Sequence, residues 1–314
     1  MQEIQEIQKL IKEQSDKGTL ARFDVRDYEF RRVMKKENRA DIVQAYDSAP
    51  DIVARTAIGK TWAKRGKTGY DYDYDASLFS NQIYQAAMFP EGEIRNSHGY
   101  EYQISYDGID YRGDTMCSWS TTVNPCLRHW ETERLDDIDK PLSTYIADFM
   151  QVVYTIGNFI PTPSAFQKRG FSPSKDYWDL ALAAIYNYYQ IRDIRDKSVR
   201  EDTVCTFIRP EPYSLEWLLR GEKNAEKCKP WLDRFKTWDN FVEQNFMQPF
   251  LKNGEKVNGH YGPPDEMWKG HFDCGGIPQN EDEFQQFFTN ATQRILARGE
   301  MIAEKVKETI ESAQ

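Results

Sequence analysis

With 314 residues, 41 basic and 50 acidic side chains and a formal net charge of −9, the chain can bury a sizeable core, and its surface as a whole disfavours polyanions while permitting a local basic patch. No apolar run approaches the ~20 residues of a membrane-spanning helix, and the start, MQEIQEIQKLIKEQSDKG, lacks the apolar stretch of a secretory signal. Cysteines at 117, 126, 205, 228 and 274 form no CxxC pair and leave an odd one over, which argues for reduced thiols and a cytoplasmic location over a disulfide framework.

In chain order, residues 2–15 place Ile4, Ile7, Leu10 and Ile11 on one stripe, a helix that must dock on something and that Gly18 ends. Residues 23–46 read as mixed and mostly helical, and 51–55 as a helix or short strand. The stretch GKTWAKRGKTGYDYDYD, 59–75, is compositionally distinct. Its two GKT triplets fail the phosphate-loop pattern GxxxxGK[ST], because Ala54 and Thr61 stand where that pattern needs glycine. Lys60, Lys64, Arg65 and Lys67 around Trp62 remain as a basic loop that could meet phosphates, with Lys168 and Arg169 as further candidates; a solvated loop is the plainer alternative. Asp71, Asp73 and Asp75 alternate with Tyr70, Tyr72 and Tyr74, which predicts a strand with carboxylates on one face. Such a face could hold a hard cation such as Mg²⁺ or simply meet solvent.

The segment GYEYQISYDGIDYRGDT carries the strongest hairpin signal, Asp107-Gly108 between two alternating runs. A two-residue turn sets Tyr106 opposite Ile109, Ile104 opposite Tyr111 and Gln103 opposite Arg112. Tyr102, Ile104, Tyr106, Ile109 and Tyr111 then share an apolar face, while Glu101, Gln103, Ser105, Asp110, Arg112 and Asp114 share a polar one. That polar face, followed by Thr115 and Ser118, is a candidate site wall, with a surface salt bridge as the alternative.

Leu142, Ile146, Phe149 and Val153 predict an amphipathic helix. A turn through GNFIPTPSAFQKRGFSPS leads to a second one bearing Tyr177, Trp178, Ala181, Leu182, Ile185 and Tyr189. These two helices, packed around the turn, read as the centre of the chain. VCTFIRPEPYSLEWLLRG predicts a short strand and a helix, and Trp231, Phe235, Trp238, Phe241, Val242 and Phe246 a further helical stripe closed by Pro249. KNGEKVNGHYGPPDEMWKGHFDCGGIP is a long Gly/Pro-rich loop, a length that is usually functional or mobile. Asn280 and Glu283 form a capping box for a last helix with Phe284, Phe287, Phe288, Ala291, Ile295, Ile302, Val306 and Ile310 on its stripe. The expectation is an α+β fold, mostly α-helical with a small antiparallel hairpin or sheet. It forms a single α-rich domain over 1–314, with lobes 1–97 and 98–314 as the finer division.

Among the four histidines, His260, His271 and Cys274 could supply three ligands to Zn²⁺, although a fourth is missing; Cys274 could equally be a nucleophile beside one of them. No GxSxG, HExxH or GxGxxG pattern is present. The segment Tyr154-Thr155-Ile156-Gly157-Asn158-Phe159 with Pro161 and Pro163 resembles the second half of the HNH-like domains in bacterial GmrSD-type restriction proteins. Ile295-Leu296-Ala297-Arg298 is similar to the I-x-x-R pattern of their last helix. The family's upstream strand bears a histidine; here Arg112, Asp114 and Thr115 follow the hairpin instead. IGNF followed by DYWD also resembles a bacterial family of unknown function.

The resemblance implies a diverged nuclease or nucleotide-processing enzyme, within a bacterial anti-phage defence system. Arg112 would bind phosphate, Asp114 and Asp179 would hold Mg²⁺ or act as base, and Asn158 would orient the loop. Asp176 and Ser174 also have a structural explanation as first-turn and cap residues. The alternative is a non-catalytic adaptor that holds a protein or nucleic-acid partner. Its aromatic surface would draw on 18 Tyr, 17 Phe and 8 Trp, together with the loop after Asn253.

Overall fold

A buried face every three or four residues organises most of the chain into helices. The computed structural model describes residues 2–50, 54–55, 58, 73–117, 143–163, 166, 178–197, 214–219, 221–269, 278 and 280–312. The fold is α+β and mostly helical, with one four-stranded and one two-stranded sheet. The chain divides into two compact units that interleave in sequence: Met1–Thr115, Ser143–Thr162 and Ile295–Gln314 form unit 1, and Met116–Leu142 and Pro163–Arg294 form unit 2. No described helix is long and apolar enough to cross a membrane.

In unit 1, α1 (Gln2–Asp16) buries Ile7 and Ile11 and ends at Gly18, whose φ of 65° is the left-handed conformation that glycine adopts freely. Its docking partner is α4 (Leu78–Ala87), reached also by a 3.0 Å bond from Gln8 to Gln82. Between them in sequence, α2 (Val25–Lys36) starts at Asp24, whose carboxylate accepts the Asp27 N–H at 2.9 Å. The helix α3 (Ala40–Asp47) follows, and Phe30, Val33, Met34 and Tyr46 pack the two together with Ile42 and Val43.

The sheet runs β1 (Glu93–His98), β2 (Glu101–Tyr106), β3 (Ile109–Thr115) and β4 (Phe159–Pro163), in that order. The β2–β3 register pairs Ile104 with Tyr111 and Tyr106 with Ile109, as the two-residue turn requires. Asp107 and Gly108 both have positive φ, 51° and 73°, the signature of the primed turn that matches strand twist. Ile104 and Tyr111 are fully buried, so the apolar face of the hairpin meets the core. The strand β4 was expected as part of a turn. Pro161 and Pro163 can join a sheet because β4 lies at its edge, where the missing N–H groups break no inner ladder.

Of the alternating Tyr-Asp run, residues 70–72 lie outside the described residues, and the part from Asp73 onward is not a strand. Tyr74–Ala76 is a 3₁₀ turn closed by bonds from Ala76 N–H to the Asp73 carbonyl and from Ser77 N–H to the Tyr74 carbonyl. Ser77 then caps α4 by accepting the Ser80 N–H at 3.0 Å. Local capping chemistry therefore overrides the period-two pattern. After this, α5 (Thr144–Val152) leads into the turn Ile156–Asn158 and β4.

In unit 2, α6 (Trp178–Lys197) buries Trp178, Leu180, Ala181, Leu182, Ala184, Ile185 and Tyr189. The expected single stripe from Trp231 to Phe246 is two helices, α8 (Glu222–Asp233) and α9 (Trp238–Gln244), after a short α7 (Leu215–Leu218). Lys236 takes a φ of 66°, and the Thr237 side chain caps α9 at Asn240, which breaks the helix without moving the rings out of the core. Trp231, Trp238 and Phe241 pack with ring centroids 5.8–5.9 Å apart where Phe241 meets each tryptophan, and Tyr189 donates to the Leu232 carbonyl at 2.7 Å.

The long Gly/Pro-rich loop contains a second hairpin, β5 (Lys256–Val257) and β6 (His260–Tyr261), turned at Asn258-Gly259 with φ of 53° and 86°. The last helix, α10 (Glu281–Ser312), begins as expected, with the Asn280 side chain accepting the Glu283 N–H at 3.0 Å. Its first half belongs to unit 2 and its second half to unit 1.

Candidate functional site

In unit 1 the chain gathers charged groups around the Tyr74–Ala76 turn. Gly113 on β3 makes this approach feasible: a Cβ there would stand 1.9 Å from the Asp75 carbonyl oxygen and 2.8 Å from the Tyr84 hydroxyl. The Tyr84 hydroxyl in turn donates to that Asp75 carbonyl at 2.8 Å, so strand, turn and α4 fix one another.

The side chain of Asp75 is 9% exposed. Its Oδ2 accepts the Thr115 hydroxyl at 2.7 Å, while Oδ1 is buried with no hydrogen-bond partner. Asp114, also 9% exposed, accepts the Thr115 backbone N–H through Oδ1 at 3.1 Å. Thr115 thus bonds to both carboxyl groups. Arg112 spans Asp73 and Glu101, the latter at 2.9 Å. Burial first, and then the neighbouring charges of Asp73 and Asp114, hold the Asp75 carboxyl well above the ordinary range; the Thr115 hydroxyl and Arg112 pull it partly back. Burial and the Asp75 charge likewise push the Tyr84 hydroxyl up, against the pull of Arg298.

Two further groups support this centre. Tyr74 meets Tyr154 edge-on at 5.3 Å, and the buried Arg26 lies 4.6 Å from the centre of the Tyr154 ring while bonding to Asp24 at 2.6 Å. Arg298, fully buried on α10, donates to the carbonyls of Gly157 and Phe159, both at 2.8 Å. A Cβ on Gly157 would stand 2.0 Å from the Ile295 carbonyl oxygen, so this turn is in backbone contact with the helix. The IGNF segment and the last-helix arginine singled out in the sequence are therefore direct partners.

Arg112 and Asp114 share β3 in this cluster. Asn158 belongs to the same unit but works from inside its own turn: it is fully buried and its amide donates to the Val153 carbonyl at 2.8 Å. Asp179 is in unit 2, fully buried, with one oxygen accepting the Leu180 N–H at 3.0 Å and the other the Met267 N–H at 3.2 Å. Asp114 and Asp179, the expected Mg²⁺ pair, thus belong to different units. Among the described residues, no group of three or more His, Cys, Asp or Glu is arranged to hold a metal ion.

Lys60, Lys64, Arg65, Lys67, Lys168 and Arg169 lie outside the described residues, as do His271 and Cys274. His260, from the same expected metal set, pairs instead with Asp239 at 3.0 Å on the exposed β5–β6 hairpin. Tyr84 and Arg26 emerge only from the fold, whereas Asp75 and Glu101 stood in the sequence as members of a carboxylate face and of the polar hairpin face. The signal for Asp75 was its place in the Tyr-Asp alternation, and the Asp-Gly turn was the signal for the strand it touches. The chain matches no family model, no curated protein and no solved structure.

Proposed function

We propose that unit 1 carries an acid–base hydrolytic site of the nuclease-like or nucleotide-processing kind, with Asp75 as proton donor and Asp114 as base. The observation that carries this reading is the buried Asp75 carboxyl, whose hold on its proton the surroundings strengthen, with Oδ1 lacking a hydrogen-bond partner and the Asp114 carboxyl linked to it through Thr115. Two neighbouring carboxyl groups in different environments are the usual arrangement for dividing acid and base roles. In the proposed step Asp114 takes a proton from water as its oxygen attacks phosphorus, the bond to the leaving oxygen breaks, and that oxygen receives the Asp75 proton. Arg112, braced by Asp73 and Glu101, is the cation of the described cluster that faces a phosphate.

The test is turnover of DNA, RNA and nucleotide mixtures by the purified chain, with and without Mg²⁺. Asp75→Asn and Asp114→Asn should each lower the rate roughly 10²- to 10⁴-fold, the contribution of one positioned acid or base. No turnover, or turnover indifferent to Asp114→Asn, defeats the reading.

A second reading, a non-catalytic adaptor, has its own support in the β5–β6 hairpin. The tip exposes Val257 at 55%, while Asp239 grips its base through His260 and the Tyr261 N–H. Its aromatic surface finds no support among the described residues, where no Tyr, Phe or Trp is fully exposed. Tight capture of nucleic acid or protein without turnover, lost on Val257→Asp, would select it.

A further inference from the structure

We infer that Thr115 is a positioning residue for the carboxyl pair: it holds Asp75 with its hydroxyl and Asp114 with its backbone N–H, and thereby fixes Asp75 Oδ1 as the oxygen that bears the transferable proton. The inference rests on the acid–base reading above for its functional meaning, but its geometry stands independently of any substrate.

A hydroxyl has one hydrogen, and in Thr115 it is committed to Asp75 Oδ2 at 2.7 Å. An oxygen that accepts such a bond is the worse site for a proton, so the proton goes to Oδ1, buried and without a partner. Valine, serine and alanine at position 115 all keep the backbone N–H, so Asp114 keeps the donor of its 3.1 Å bond in these variants. The side chain therefore acts on one member of the pair only. Charged and titratable groups face the pair from its neighbours: Asp73 on the turn, Arg112 on β3, Glu101 on β2 through Arg112, Tyr84 on α4, Tyr154 after α5, and Arg298 on α10 through Tyr84. None of these donates a hydrogen bond to the Asp75 carboxyl, whose one bonded oxygen is filled by Thr115.

The direction of the effect follows. A donor to a carboxylate favours its charged form. Thr115→Val keeps the shape of the side chain and deletes the donor, so Asp75 should hold its proton to higher pH; Thr115→Ser restores the donor and should return the titration to that of the native chain. The measurement is the carboxyl ¹³C titration of Asp75 by NMR, assigned by its loss in Asp75→Asn, in the full-length chain. An upward displacement in Thr115→Val with recovery in Thr115→Ser supports the assignment. Equal titrations in the native chain, Thr115→Val and Thr115→Ser overturn it. If Thr115→Val does not fold, Thr115→Ala carries the same test, with the same two outcomes. Where an active substrate is found, the alkaline limb of the rate profile should move up in Thr115→Val and not in Thr115→Ser. An NMR displacement without turnover on any substrate would retain the positioning role and defeat only the catalytic reading.

Discussion

The two units bury different chemistry. Among the described residues both units bury aromatic rings, such as Phe30, Phe79 and Phe149 in unit 1 and Trp178, Trp231 and Phe241 in unit 2, but unit 1 also encloses the charged side chains of Arg26, Glu29, Asp75, Glu101, Asp114 and Arg298, whereas unit 2 encloses, of the charged residues, Asp179. A buried charge costs several kcal/mol unless it is paired and hydrogen-bonded, while a buried ring is favourable in itself. Unit 2 is built the inexpensive way. Unit 1 adds to its apolar core polar contacts that each require a specific partner, and such contacts are the ones that also create acid–base chemistry.

The largest expected effect is at Arg298. Removing a buried cation that serves two backbone carbonyls in Arg298→Ala should cost about 3 to 5 kcal/mol, read as a lower urea midpoint at unchanged slope. A loss under ~1 kcal/mol would mean that the polar contacts of unit 1 are ornamental and that its stability, like that of unit 2, comes from apolar packing.

Next is Asp179, the charged exception in unit 2. Asp179→Asn keeps one acceptor but turns an amide N–H toward a backbone N–H, so about 1 to 3 kcal/mol should be lost. Equal stability of the variant and the native chain would remove the structural account of this carboxylate and return it to the list of candidates for chemistry.

The smallest effect, and the one that isolates the carboxyl pair, is the pH dependence of Asp75→Asn. The folded-state affinity of Asp75 for its proton is raised above that of the unfolded chain, whose aspartates titrate near ~3.9. Below that pH both states are protonated and the native chain bears no penalty. As pH rises through the folded-state value, the native chain loses stability, because the folded state resists an ionisation that the unfolded state accepts. Asp75→Asn should therefore match the native chain near pH 4 and become progressively more stable than it toward alkaline pH, in denaturation curves taken across that range. A constant difference at all pH values would show that the carboxyl is not perturbed.

Local chemistry was legible in the sequence wherever one residue type dictates one conformation. Asp107-Gly108 gave the hairpin and its register, and Asn280 with Glu283 gave the start of the last helix. Asn258-Gly259 carried the same turn signal as Asp107-Gly108 and was passed over inside a Gly/Pro-rich run, although its φ values show the same primed turn. Two elements misled because a strong local pattern met a stronger competitor: Ser77 capping ended the Tyr-Asp alternation, and the sheet edge accepted the prolines of β4.

The site was legible only in part. Arg112 and Asp114 follow from the polar face of the hairpin, but their functional neighbour Asp75 is brought in by a contact from Thr115 spanning 40 residues. The bond from Arg298 to Gly157 spans 141. No periodicity encodes such pairings; they result from the packing of whole elements, and glycine at 113 and 157 is their trace in the sequence. The fully buried Asn158 and Asp179 show the converse. Both were expected at the site on sequence grounds, and both hydrogen-bond to backbone groups that no sequence pattern announces.

The Arg298 clasp on the Gly157 turn also bears on how the protein is made. At the ribosome's pace of about 5 to 20 residues per second, the 141 residues between these partners delay the arginine by roughly 7 to 30 s after its carbonyls emerge. Throughout that interval the nascent turn and the edge strand beside it lack their fastening. The polar half of the molecule is therefore the half that matures last, and the period in which a chaperone or a protease would find it open is set by the length of the intervening chain.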